Sequence, residues 1–94
     1  MHVGLLLLDC HIPGSVSLKD KRRALNGMLE RLRRSHNVAA CEVEYQDQWQ
    51  RAVLAVVFVN TDWRMVQRSM AKVTEFVGRN RDLELLDSET RQLA

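Results

Sequence analysis

Aromatic side chains are scarce in this chain, which has two Phe, two Trp and one Tyr. RNA-recognition sheets stack bases on aromatics, so the scarcity counts against an open sheet built for that purpose. One proline and four glycines leave no linker or low-complexity segment. Cys10 and Cys41 are too few for a disulfide framework, and they lack CxxC or Cys/His metal spacing. They are expected to be reduced and structural, in a cytosolic (cytoplasmic) protein. No run reaches the roughly 18 apolar residues of a membrane span. The stretch "VGLLLLDC" lacks a basic leader, which counts against a signal peptide. What remains is a 94-residue chain, 46% hydrophobic, expected to fold as one domain.

Residues 3–10 are a mostly apolar run ending at "HIPGS", where Pro13 and Gly14 break the strand. Ser17 offers a capping hydroxyl, with Asp20 at capping-box spacing. Leu18, Leu25, Met28, Leu29 and Leu32 recur at helical spacing and predict a first helix. Ser35-His36-Asn37 closes it, and Asn37 is expected to suit the left-handed conformation of a C-cap. "VAACEVEY" alternates, with Cys41, Val43 and Tyr45 on one face and Glu42 and Glu44 on the other, and predicts an edge strand. A "QDQ" turn leads to a long apolar strand, "RAVLAVVFVN". Asn60-Thr61-Asp62 supplies caps for a second helix, whose stripe of Trp63, Val66, Met70, Val73 and Val77 ends at Gly78. The last strand is expected at "LELL", residues 83–86, trailing into a polar tail.

The order β-α-β-β-α-β predicts an α+β, ferredoxin-like sandwich: a four-stranded antiparallel sheet with both helices on one face. The first and third strands are then central. Ala52, Leu54, Val56 and Phe58 alternate with Val53, Ala55, Val57 and Val59, so the third strand is apolar on both faces. In the first strand, Leu5 and Leu7 likewise oppose Leu6 and Leu8. Two helices cover only one face, and a wetted antiparallel sheet normally alternates. Val53, Ala55, Val57 and Val59 are therefore expected to form a homo-oligomer interface. The competing expectation is that flanking side chains and the termini cover the patch.

The stretches "CHIPGSVSLKDKRRAL", "VAACEVEYQDQWQRAVLAVVFVN" and "LELLDSETRQL" resemble the YlxP-like family of small bacterial proteins, a domain of unknown function, over nearly the whole chain. The resemblance implies a ferredoxin-like fold and no established activity. In some bacteria the family's gene sits among translation and ribosome-maturation genes, which implies an RNA-linked role. Cys10 and Ile12, in the loop before Pro13-Gly14, depart from the family's pattern.

Residues 17–34 hold seven cations (Lys19, Lys21, Arg22, Arg23, Arg31, Arg33 and Arg34) against two acids, Asp20 and Glu30. At 100° per residue, Lys19, Arg23, Arg31 and Arg34 fall on or beside the outer face, and Arg22 and Arg33 on one flank. Lys21 falls at the margin of the apolar stripe and is expected to snorkel outward. Cations in the first helical turns oppose the dipole by about 0.3–1 kcal/mol each, a cost that a bound anion would relieve. The stretch is an expected contact for RNA or the ribosome, with a solvated helix face as the alternative. The amides of "HIPGSVS" could join as a phosphate cradle, although a turn alone explains Pro13 and Gly14.

Trp49 and Arg51 open the third strand as accessory candidates, a stacking aromatic and a cation. The alternatives are a packing Trp and a cross-strand Glu44–Arg51 pair. His2, His11 and His36 share no face, and Cys10 and His11 diverge along a strand, so no metal or cofactor is expected. Acylphosphatases share this element order but carry an arginine in the corresponding loop, and residues 11–17 have none. The chain is expected to be a non-catalytic binding module. An oligomeric scaffold for protein partners and a small phosphoryl-handling enzyme are the alternatives.

Overall fold

A computed structural model describes all 94 residues. Their order is β1 (His2–His11), α1 (Leu18–Ser35), β2 (Ala39–Glu44), β3 (Arg51–Asn60), α2 (Trp63–Gly78) and β4 (Glu84–Gln92). The four strands form one sheet in the order β2-β3-β1-β4, antiparallel at every junction. The fold is the ferredoxin-like α+β sandwich, with β1 and β3 in the centre.

The period of two along the central strands decides what is covered. Leu6, Leu8, Cys10, Ala52, Leu54, Val56 and Phe58 point toward the helices and are buried. They meet Leu25, Met28, Leu29 and Leu32 of α1 and Val66, Met70, Val73 and Val77 of α2 in one core. Gly4 lets α2 approach the sheet: a Cβ there would lie 2.6 Å from Cγ1 of Val66.

Both helices start as their caps predict. Oγ of Ser17 accepts from the Asp20 amide, and the Asp62 carboxylate accepts from the Arg64 amide. Asn60 accepts in turn from the Asp62 amide. The end of α1 differs from expectation. His36 is the C-cap in an extended conformation, and its amide donates to the Leu32 carbonyl. Asn37 therefore takes no left-handed turn; the single non-glycine residue with positive φ is Tyr45, at 63°.

Two edge strands also differ. The β2–β3 register shifts between Glu42 and Glu44, so Glu42 pairs with Leu54 while Glu44 pairs with Val53. This bulge absorbs Val43 and puts Glu44 on the open face, whereas simple alternation keeps it beside Glu42. β4 runs through Gln92, and Leu93 and Ala94 continue its backbone pairing with Val3. The expected polar tail is thus the strand itself. Its side chains are mostly exposed at a sheet edge, so no apolar period marks it, and its stability comes from backbone pairing to β1.

Candidate functional site

The cations of α1 separate into groups that sequence spacing alone does not distinguish. Lys21 is 1% exposed and does not snorkel outward. Its Nζ donates to the carbonyls of Tyr45 at 2.7 Å and Arg51 at 3.1 Å, and lies 2.8 Å from Oε2 of Glu42. Glu42 sits on the helix side of β2, which is why the ammonium is drawn inward. Lys21 is therefore withdrawn from the surface set and acts as the anchor of the β2–β3 hairpin. The Gln50 side chain tightens the same corner by donating to the carbonyls of Pro13 and Ser15.

That corner leaves little room for a phosphate cradle. Oδ2 of Asp20 already accepts from the Val16 amide, so a carboxylate of the chain itself occupies the start of α1. The Ser15 amide is bonded to the Ile12 carbonyl and the Ser15 hydroxyl to that of Ser17. An acid at the helix start also offsets the dipole cost of Lys19, Arg22 and Arg23.

The remaining cations are exposed. Arg33 reaches over β2 and donates to the Ala40 carbonyl. Lys19, Arg22 and Arg34 project from the outer surface. Arg31 faces the end of α2 and Arg23 faces the segment after it, and both line a groove along that side of α1. The wider half of this groove, about 780 Å³, is closed by Lys72, Arg79 and Arg81 with Glu75, Asp82, His36, Phe76 and Asn80. The narrower half, about 420 Å³, runs from Arg31 and Arg81 past Arg23 to Asp20 and Gly14. Lys72, Arg79 and Arg81 are the residues that the basic stretch of α1 does not announce. A visible sign of them is the cluster "GRNR" after the second apolar stripe.

Charge divides between the two layers. α1 and α2 together hold ten Lys or Arg against three Asp or Glu, while the rest of the chain holds four against nine. Of the ten helix cations only Lys21 forms an ion pair; the other pairs are His11–Glu84, Arg51–Asp9, Arg79–Glu75 and Arg91–Glu89. The opposite face of the sheet carries Asp9, Glu44, Asp87 and Glu89 around Leu7 and Val53.

Trp49 lies in the hairpin loop, 54% exposed, and does not pack in the core. Arg51 is held on the open sheet face. It donates to both carboxylate oxygens of Asp9 at 3.0 Å, and its guanidinium carbon lies 4.7 Å from the centre of the Tyr45 ring. Its partner is Asp9 instead of Glu44, because the bulge sets Glu44 opposite Val53. A guanidinium so engaged offers little to an outside anion. Cys10 is buried, and desolvation followed by the charge of Asp9 pushes its thiol up to about 11. No three His, Cys, Asp or Glu side chains are grouped to hold a metal ion, and no helix is long and apolar enough to cross a membrane.

The protein family described as "Protein of unknown function (DUF503)" matches residues 3–90. The chain belongs to this family. It is also similar to "Uncharacterized protein YlxP" of Bacillus subtilis (strain 168), with 31% identity over 75 residues, which is 80% of this chain and 82% of that protein. Both descriptions leave function open. Within the family match lie "SLKDKRR" and "QDQWQRA", two segments that Lys21 ties together through the carbonyls of Gln46 and Arg51. Part of what makes those segments distinctive is therefore the construction of one corner of the fold.

Proposed function

We propose that this protein is a non-catalytic, cytosolic RNA-binding module, associated with RNA or the ribosome through its helix layer. The observation that carries the proposal is the charge division: nine helix cations without ion-pair partners, against an acidic opposite face. Phosphate contacts need unpaired cations on an exposed surface. Arg23, Arg31, Lys72 and Arg81 line the two halves of this groove, where the backbone of a single strand would meet them. Base stacking on the sheet is a poor alternative, since its open face carries carboxylates that repel phosphate.

A fluorescence-anisotropy titration at several salt concentrations tests this, with ribosomal RNA fragments and an unrelated RNA. About four phosphate contacts give a log–log salt slope near −3, at roughly −0.7 each. Reversing Arg23 and Arg34 to Glu should flatten the slope by about 1–2. Adding Arg81→Glu should flatten it further, with little dependence on RNA sequence. Equal binding by the reversed and native proteins, or no binding of either RNA at low salt, would leave the helices a solvated face and remove the proposal.

A further inference from the structure

The side of the sheet away from the helices carries an apolar strip that no helix covers; most of its residues are half-buried, and Val53, expected in an interface, is buried. Val3, Leu5 and Leu7 on β1 lie beside Val59, Val57 and Ala55 on β3, pair by pair. Ala39 and Cys41 extend the strip across β2, and Val59 is 61% exposed. Both termini leave it open, because Leu93 and Ala94 pair with Val3 along the sheet edge. Beyond Leu7 the same face turns acidic, with Asp9, Glu44 and Asp87.

We propose that this face binds a second copy of the chain, sheet against sheet, with the strands of the two copies running in opposite directions. The strip is apolar and can face its own copy, as a two-fold interface requires, and aligned sheets pack with their strands about 30° apart. Strands of ten, six, ten and nine residues, at about 3.3 Å per residue and about 4.8 Å apart, make a face of roughly 550 Å². This lies just below the roughly 600–1,000 Å² per partner of standard interfaces.

Charge chooses the direction. On β4, Arg91 stands beside Leu5 and Glu89 beside Leu7. Reversal about an axis between those two rows lays Arg91 of each copy across from Glu89 of the other. It also places the acidic rows of Asp9, Glu44 and Asp87 at opposite ends of the interface, each across from the Val3–Val59 row of the other copy, so that neither faces its own kind. Parallel stacking would press Asp9, Glu44 and Asp87 against the same three carboxylates, which is unfavourable by several kcal/mol. Nucleic acid is a poor occupant for the same reason. Both helix layers stay outside the interface, so self-association and RNA binding succeed or fail separately.

The chain carries its own probe. Cys41 is exposed on this face while Cys10 is buried, so a thiol reagent should modify Cys41 alone in the folded protein. Its labelling rate should fall as protein concentration rises, in step with a doubling of mass by light scattering. Val59→Asp, at an exposed site that cannot break the core, should stay monomeric and label quickly at every concentration. The direction is tested in trans. Arg91→Glu and Glu89→Arg should each weaken self-association by about tenfold or more, since like charges then face each other. Mixed together, the two variants should pair with native strength. A wild type that stays monomeric at high concentration with constant Cys41 reactivity would overturn the proposal. So would dimers that persist in Val59→Asp, or variants that fail to complement.

Discussion

Lys21→Met keeps the aliphatic stem in its buried channel and removes only the ammonium. In the native chain that ammonium has three N–H donors and satisfies the Tyr45 and Arg51 carbonyls and the Glu42 carboxylate at 2.7, 3.1 and 2.8 Å. The Gln46 carbonyl lies 3.4 Å away. Removing it leaves a largely buried carboxylate, with the Glu42 side chain 20% exposed, and two carbonyls without a donor. Breaking a buried pair from one side costs about 3–5 kcal/mol. Partial access of water to Glu42 places the loss toward the lower figure. At about 0.05–0.15 kcal/mol per residue, a chain of this length has roughly 5–14 kcal/mol in total, so a loss of about 3 kcal/mol is a large share. In urea, with a slope of about 1–2 kcal/mol/M, the midpoint should drop by about 2 M. Trp49 emission should change earlier in the transition, because the hairpin that carries it loses its tie to α1. The double variant Lys21→Met with Glu42→Gln should recover about 1–2 kcal/mol, since the stranded charge is gone. A loss under about 1 kcal/mol in the single variant, within the range of a surface ion pair, would refute Lys21 as the anchor of this corner.

Three further outcomes follow from the packing and the buried thiol. Gly4→Ala should destabilise by about 1–3 kcal/mol, because its Cβ would meet Val66 at 2.6 Å and Met70 at 3.1 Å; thermal melting checks this. The Cys10 thiol holds its proton to about pH 11 when folded, against 9.0 for the ordinary thiol. Above pH 9 the unfolded chain sheds that proton first, so stability should fall between pH 9 and 11, by about 2–3 kcal/mol. Cys10→Ala should flatten that alkaline loss in urea melts taken across the range. Ser17→Ala removes the acceptor for the Asp20 amide and should cost about 1 kcal/mol, again by urea melting.

The sheet order and both helices were legible in residues whose side chains enter the core. Leu25, Met28 and Leu32, or Leu54, Val56 and Phe58, repeat at the period of the element that buries them, and hydrophobic burial imposes that period. The doubly apolar β1 and β3 likewise reveal central strands. The capping pair Ser17–Asp20 was legible because it is local, four residues long, and needs no tertiary partner. β4 was legible only at its start, since an edge strand held by backbone pairing leaves its side chains free to be polar. The side of β2 on which Glu44 lies was not legible at all. A one-residue bulge reverses it, and bulges follow from the partner strand's register.

By itself, then, the sequence determined the order of elements, the covered face of the sheet, and an excess of cations in α1. Only tertiary structure decided which of those cations remain available. Lys21 is in sequence one more lysine in a basic run, and its fate depends on Glu42 and on carbonyls more than twenty residues away. Arg31 acquires Lys72, Arg79 and Arg81 as neighbours, and Arg23 acquires Arg81, only because α2 and the segment after it lie on the same face of the sheet as α1. Helical periodicity can assign a residue to a face, because that depends on neighbours three or four positions away. The electrostatic surroundings of a charge are set by whatever the fold brings within a few ångström, and no local repeat encodes that.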